Sequence, residues 1–149
     1  MNLSKNFTLK EFTKSTSALR AGISNDPTEE HIENIKLLVK YVLQPLREAL
    51  GKPIRVTSGY RSFELNKAIR GSKNSQHCKG QAADLQFKVD NVMNNKIVWN
   101  KVIELGLPFD QMINEFDYAW IHISYNHEYN RKALLEAYRE SGKTKYKWV

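Results

Sequence analysis

The chain has 149 residues, of which 41% are hydrophobic and 26% are charged, and its net charge at pH 7 is +7. This composition argues against wholesale disorder and predicts one domain over residues 1–149, which is long enough to bury a core without disulfides. Cys78 is the only cysteine, so no internal disulfide can form. The positive charge favours an anionic partner, but the basic residues are scattered and no nucleic-acid-binding motif occurs. A nucleic-acid partner is therefore not expected.

The hydropathy of the chain argues against export and membrane insertion. The first residues, Met1–Phe7, lack the apolar core of a signal peptide. No stretch approaches the ~18 consecutive apolar residues of a membrane-spanning helix. We therefore expect a protein without a signal peptide, synthesised in the cytoplasm and not inserted in a membrane. Nothing in the sequence indicates an oligomer, so a monomer is expected.

The first part of the chain is predicted to be helical. Thr8–Glu11 has the form of a capping box, and Asp26 followed by Pro27 predicts a second helix start with Asp26 as the N-cap. One apolar stripe at helical spacing follows, formed by Ile32, Ile35, Leu38, Val39, Val42, Leu43, Leu46 and Leu50. Pro45 should kink or divide this main core helix, and Gly51 should end it.

Strands and helices are mixed in the rest of the chain. Strands are predicted around Ile54–Val56, Ala82–Val89, Phe109–Phe116 and Ala119–Tyr125, and helices over Phe63–Ile69 and Val92–Leu105. Arg131–Arg139 has short helical spacing, and the tail after it is a strand or a frayed end. Together the predicted elements indicate an α+β fold, in which a small antiparallel sheet carries the functional residues and helices pack on it.

Two histidines and one aspartate form a candidate metal site. Alternation in the second predicted strand turns Asp84 away from Leu85 and Phe87, and His122 lies on the more polar face of the last one. Taken alone, His77 in a polar loop is more often a solvated residue than a ligand, and His122 could be a satisfied strand histidine. A buried Asp84 without partner or metal is costly, however. Three N and O ligands, with a fourth position for water, are typical of catalytic zinc.

The sequence resembles a known family at four segments. These are Ser58–Ser62 (SGYRS), Ser75–Asp84 (SQHCKGQAAD), Asp110–Glu115 (DQMINE) and Trp120–Ser124 (WIHIS). In this order they are similar to the zinc D-Ala-D-Ala carboxypeptidase family, which includes carboxypeptidases, dipeptidases and the L-alanyl-D-glutamate endopeptidases of phage endolysins. The resemblance covers about residues 7–130 and implies a hedgehog/D-Ala-D-Ala peptidase-like fold.

The resemblance also implies roles for individual residues. It makes His77, Asp84 and His122 the ligands of one Zn²⁺ per chain. It makes Arg61 a substrate-binding group, suited to a carboxylate or a carbonyl because a planar guanidinium donates paired hydrogen bonds. Ser75 would orient the substrate or the ligands.

The general base departs from the family pattern. Many members carry an acidic residue three positions before the last ligand, where this chain has Ala119. Proton transfer still requires a group near the metal, so the candidates are Glu115 and Asp117. We favour Glu115, because it lies on the strand expected to pair with that of His122, whereas Asp117 lies in the predicted turn.

The resemblance implies a zinc metallopeptidase, a D-Ala-D-Ala carboxypeptidase or an L-alanyl-D-glutamate-type endopeptidase, whose partner is the peptidoglycan stem peptide. Such a protein would act on the cell wall, and the absence of a signal peptide fits a phage lysin released through a holin or a chain without its leader. The alternative function is a zinc-stabilised wall-binding or structural module that has lost its base.

Overall fold

The computed structural model describes residues 1–149. Its α-helices are α1 (Leu9–Thr13), α2 (Thr16–Ala21), α3 (Glu29–Leu38), α4 (Gln44–Leu50), α5 (Phe63–Ala68) and α6 (Asn95–Leu105). Its strands are β1 (Arg55–Ser58), β2 (Ala82–Gln86), β3 (Lys88–Val89), β4 (Val92–Met93), β5 (Gln111–Glu115), β6 (Trp120–Ser124), β7 (Ala133–Glu140) and β8 (Lys143–Trp148). None of the helices has the length and apolar character needed to span a bilayer.

Six strands form one mixed sheet in the order β1-β2-β6-β5-β7-β8, while β3 and β4 make a separate hairpin. The α+β class is confirmed, but the expectation of a small, wholly antiparallel sheet is wrong, because β5 and β7 are parallel. β6 is antiparallel to β5 and ends beside its start. Residues 125–132 then carry the chain to the free edge of β5, so β7 runs in the same direction as β5.

The segment Arg131–Arg139, predicted to be a short helix, contains most of β7 instead. Its alanine, leucine and glutamate residues favour a helix locally. In the fold the segment pairs with β5 on one side and with β8 on the other. These ladders satisfy the backbone on both edges and outweigh local propensity.

Pro45 divides the main helix, as predicted. A π-helical turn, Val39–Leu43, separates α3 from α4, and the Gln44 N–H bonds to the Val39 carbonyl five residues back. Proline has no N–H, and its ring crowds the carbonyl four residues earlier. The wider turn relieves that crowding while Leu38, Leu43 and the rest of the apolar stripe stay in the core.

The start of α3 is capped differently from the prediction. The cap is Thr28, whose hydroxyl accepts from the His31 N–H at 3.3 Å. Asp26 lies two residues upstream and accepts from the Ser24 hydroxyl instead. Asp26, Pro27 and Thr28 all suit a helix start, and local sequence does not decide which of them caps it.

The two faces of the sheet differ in character. Leu85, Met112, Ile121 and Ile123 project into a core shared with α3, α4 and α6. Because side chains alternate along a strand, the residues between them project to the opposite face. That face holds Asp84 and His122, and both residues line an open cleft.

Candidate metal centre

His77, Asp84 and His122 converge on one point, and each contributes one ligand atom within 4.8 Å of the others. Asp84 on β2 and His122 on β6 are directly opposite in the antiparallel ladder. His77 comes from a 3-10 turn, Gln76–Lys79, immediately before β2. The Asp84 Oδ1 atom lies 3.3 Å from His77 Nε2 and 3.2 Å from His122 Nδ1.

The position of His77 is fixed by its neighbours. Its side chain is almost fully buried, and its Nδ1 lies 2.7 Å from the carbonyl oxygen of Gly59. A carbonyl only accepts, so Nδ1 carries the proton and Nε2 presents its lone pair to the site. Ser75 caps the turn, its hydroxyl accepting from the His77 N–H at 3.2 Å.

Gly59 can lie this close to α1 because it has no side chain. A Cβ at this position would lie 2.7 Å from both the Cα and the carbonyl oxygen of Phe12 on α1. The close approach allows the adjacent Tyr60 N–H to donate to the Phe12 carbonyl at 2.7 Å. The packing of α1 against Gly59 therefore fixes the carbonyl that accepts from His77, and such a partner orients a metal-binding histidine.

The protonation states in the cluster suit a metal. Burial acts to lower the pKa of His77, with Asp84 opposing it, and the net result is a lowered pKa. Burial acts to raise the pKa of Asp84, but the two imidazoles outweigh it and hold that pKa well below its usual range. Neutral imidazole and ionised carboxylate are the forms that bind a cation.

Arg61 lies beside the cluster, and one of its buried donors has no partner. Its backbone N–H bonds to the His77 carbonyl at 3.1 Å, and its Nη1 donates to Asn66 Oδ1 at 3.2 Å. Burial lowers the pKa of the guanidinium while Asp84 opposes this shift. Its Nε is buried with no partner. A buried donor without a partner is rare in a folded protein, so the Arg61 Nε is a candidate contact for a ligand.

The two candidate bases lie in different environments. Glu115 is only 9% exposed at the end of β5, opposite Trp120, and its Oε1 atom is buried without a partner. Burial raises its pKa, with His122 opposing the shift and Asp84 adding to it. Asp117 is exposed in a turn with a positive φ of 55° and does not line the site.

A large open cleft covers this face of the sheet, with a volume of about 1130 Å³. All the sequence-predicted site residues except Asp117 line it, namely His77, Asp84, His122, Arg61, Ser75 and Glu115. Residues from β1 at one edge and β8 at the other take part in its wall. The metal cluster occupies only the part of the cleft above β2 and β6.

Asp110 is a buried junction that the sequence analysis did not single out as a site residue. Its carboxylate accepts from the Gln76 side chain at 2.8 Å and from the N–H, Nε and Nη2 groups of Arg131 at 3.0 Å each. It thereby ties the turn that bears His77 to the start of β7. The only sequence signal was its place at the head of the segment Asp110–Glu115.

Replacement of Asp110 by asparagine should destabilise the protein by about 1–3 kcal/mol at pH 7, because Arg131 and Gln76 lose a charged acceptor. Burial acts to raise the pKa of Asp110, and the hydrogen bonds from Arg131 and Gln76 outweigh it and lower that pKa. A lowered pKa stabilises the fold above the unfolded-state pKa of about 3.9, and this contribution is lost as the pH falls through the folded-state pKa.

Urea unfolding at pH 7 and at several acidic pH values tests this prediction. The difference between wild type and Asp110→Asn should narrow as the pH falls below about 4. Asp26→Asn, at an exposed aspartate, is the matched control and should show little change. A difference that stays constant with pH would contradict the assigned role of the Asp110 charge.

The donor set fits zinc. Two imidazoles and one carboxylate are ligands that zinc accepts, and three protein ligands leave a position open to solvent in the cleft. His77 has its tautomer fixed by a carbonyl, as metal-bound histidines commonly do. A zinc site with three protein ligands and an open position is the kind of centre that metal-dependent hydrolases use.

Comparison with known proteins specifies the class further. The sequence matches the Peptidase M15 family over residues 5–124, and the chain belongs to this family. It is also 46% identical over 50 residues to the zinc D-Ala-D-Ala carboxypeptidase of Streptomyces albus G. That match covers 33% of this chain and 20% of the length of the Streptomyces protein. The family resemblance and the expected Zn²⁺ cofactor are confirmed.

Proposed function

We propose that this protein is a zinc-dependent peptidase that hydrolyses a peptide bond in peptidoglycan stem peptides. The observation that carries the proposal is the cluster of His77, Asp84 and His122 in one cleft with the unpartnered carboxylate oxygen of Glu115. The name of the Streptomyces protein supports the substrate class. We further propose that it acts as a one-domain monomer at the cell wall, where its charge of +7 favours anionic polymers.

His77, Asp84 and His122 would hold the zinc. When bound there, zinc polarises the substrate carbonyl and makes water a stronger nucleophile. Glu115 would take a proton from the attacking water and deliver it to the amine of the departing peptide. The raised pKa of Glu115 suits both proton uptake and proton delivery, because an acid or base is most effective when its pKa approaches the working pH.

Arg61 would bind and orient the peptide. Its partnerless Nε and its position beside Asp84 suit donation to a carbonyl or carboxylate oxygen of the substrate. Ser75 would act indirectly, since its hydroxyl is engaged by the His77 N–H. Asp117 has no such place in the mechanism, because it lies outside the cleft.

The proposal is tested with zinc-loaded protein and purified stem peptides, with products identified by mass spectrometry. We expect cleavage at one bond, loss of cleavage with a chelator, and recovery when about one equivalent of zinc is restored. Sedimentation with purified cell walls is measured in parallel. A protein that binds zinc and walls but leaves every peptide intact would instead support the wall-binding module, an alternative motivated by Ala119.

The same products assign the type of peptidase. Release of the terminal D-alanine alone would identify a carboxypeptidase, and a cut between L-alanine and D-glutamate would identify an endopeptidase. Intact walls of a phage host serve as a further substrate for the proposed lysin role. A protein active on soluble peptides and inactive on walls would argue against that role.

A further inference from the structure

The hairpin formed by β7 and β8, residues 133–148, lies outside the part of the chain that matches the family, residues 5–124. It nevertheless lines the cleft, through Leu135, Arg139, Thr144 and Tyr146. All six residues of β8 are exposed, so this strand buries little apolar surface. Stabilisation of the core does not account for its presence.

One row of paired residues connects the metal centre to this hairpin. Trp120 on β6 pairs with Glu115 on β5, Glu115 with Ala137 on β7, and Ala137 with Tyr146 on β8. Directly paired residues project to the same face of a sheet. Ala137 is only 1% exposed and does not line the cleft, so its small side chain lies beneath its neighbours, while Glu115 and Tyr146 on either side of it both line the cleft.

The electrostatics of Tyr146 agree with this placement. Its pKa is raised first by desolvation and then by the charges of Glu115 and Asp84. The residue is nevertheless 55% exposed. Its phenol hydroxyl therefore stays protonated at neutral pH, where it can donate a hydrogen bond to a ligand in the cleft.

Arg139 gives the same end of the cleft a free positive charge. Its guanidinium carbon lies 5.1 Å from the centre of the Phe116 ring, and it forms no salt bridge. The ion pairs of the hairpin use Lys145 and Lys147 instead. A guanidinium held on an aromatic ring without an acidic partner is suited to a carboxylate.

The dimensions of the sheet set the length of ligand that reaches these residues. Neighbouring strands are about 4.8 Å apart, so the three intervals from β6 to β8 span roughly 14 Å at the backbone. An extended peptide advances about 3.3 Å per residue, so roughly four residues cover this distance. A dipeptide is about 7 Å long and would occupy only the metal end.

We propose that the β7–β8 hairpin is a distal subsite that selects an extended, carboxylate-bearing peptide over a free dipeptide. In this subsite Tyr146 donates a hydrogen bond to the peptide backbone and Arg139 binds a carboxylate several residues from the scissile bond. The inference rests on the proposed peptidase function and adds the length and charge of its substrate.

Kinetics with two substrates test this inference. The long substrate is a stem pentapeptide, and the short one is a dipeptide of the two residues flanking the bond that wild type cleaves. Tyr146→Phe and Arg139→Gln should each lower kcat/KM for the pentapeptide by about tenfold, mainly through KM, as expected for one lost hydrogen bond or ion pair. Wild type should cleave the dipeptide more slowly than the pentapeptide. Both variants should cleave the dipeptide at the wild-type rate.

Tyr138→Phe is the matched control, because Tyr138 lies next to Ala137 on β7 and so projects to the other face. This variant should have the wild-type kcat/KM for both substrates. Equal pentapeptide kinetics in wild type, Tyr146→Phe and Arg139→Gln would overturn the subsite. An equal loss of kcat/KM for both substrates would also overturn the subsite, because that result indicates a role at the metal centre or in folding.

A binding measurement separates this inference from the proposed function. The Kd of the pentapeptide is measured by calorimetry with zinc-loaded Glu115→Gln protein, with and without Tyr146→Phe. If wild type cleaves no peptide, the proposed function fails, but a roughly tenfold weaker Kd in the double variant would still support the subsite. An unchanged Kd would overturn the subsite even if wild type cleaves.

Discussion

Replacement of Asp84 by alanine is expected to abolish zinc binding and, with it, peptide hydrolysis. Asp84 is the only carboxylate of the cluster, and its Oδ1 lies within 3.3 Å of a nitrogen of each histidine. Loss of a residue that only hydrogen-bonds to a metal ligand weakens metal binding by about 10–100-fold, and loss of a direct ligand should weaken it further. Zinc content after dialysis, measured by elemental analysis, tests this prediction.

The conservative variant Asp84→Asn isolates the charge, because asparagine has nearly the same volume. We expect it to lose zinc almost as completely as Asp84→Ala, since a neutral amide does not offset the charge of the cation. Asp90→Asn, at an exposed turn residue, is the matched control and should keep about one zinc per chain. Full zinc content in Asp84→Asn would contradict a role for the carboxylate charge in holding the metal.

Replacement of Glu115 by glutamine is expected to lower kcat by about 10²–10⁴-fold, the range that general acid–base catalysis contributes. Glutamine is similar in size but accepts no proton at neutral pH. Zinc content should stay at the wild-type value, because Glu115 is not part of the metal cluster. Hydrolysis at the wild-type rate would remove Glu115 as the base.

The melting temperature separates catalysis from folding in this variant. The Oε1 atom of Glu115 is buried without a partner, and burial raises its pKa. A neutral side chain relieves that desolvation, so Glu115→Gln should melt at the same temperature as wild type or higher. Asp117→Asn is the matched control for the second candidate base and should keep full activity, because Asp117 lies outside the cleft.

The metal centre was predictable because local rules govern each of its parts. Side chains alternate along β2 and β6, so Asp84 and His122 project to the face opposite the apolar residues of the core. The chemistry of the three side chains then indicates zinc, and the order of the motifs indicates the family. The division of the long helix at Pro45 was equally predictable, because a proline lacks its N–H in any context.

The hairpin and its role were not predictable from local sequence. Residues 133–140 favour a helix by propensity and form β7 only because the free edge of β5 is available for pairing. The row that brings Ala137 and Tyr146 beside Glu115 depends on the register of three strand pairs. Neither the parallel pair nor the width of the cleft has a signature within a short window of sequence.

The sequence by itself therefore determined the residues of the candidate metal cluster, the family and most of the helices, because side-chain chemistry, alternation and helix-breaking residues act over a few neighbouring positions. The tertiary structure decided the mixed sheet, the choice between Glu115 and Asp117 as the residue lining the cleft, and the extension of the cleft to β8. Each of these depends on which distant strands share hydrogen bonds, and that pairing is fixed only when the whole chain has packed on its core.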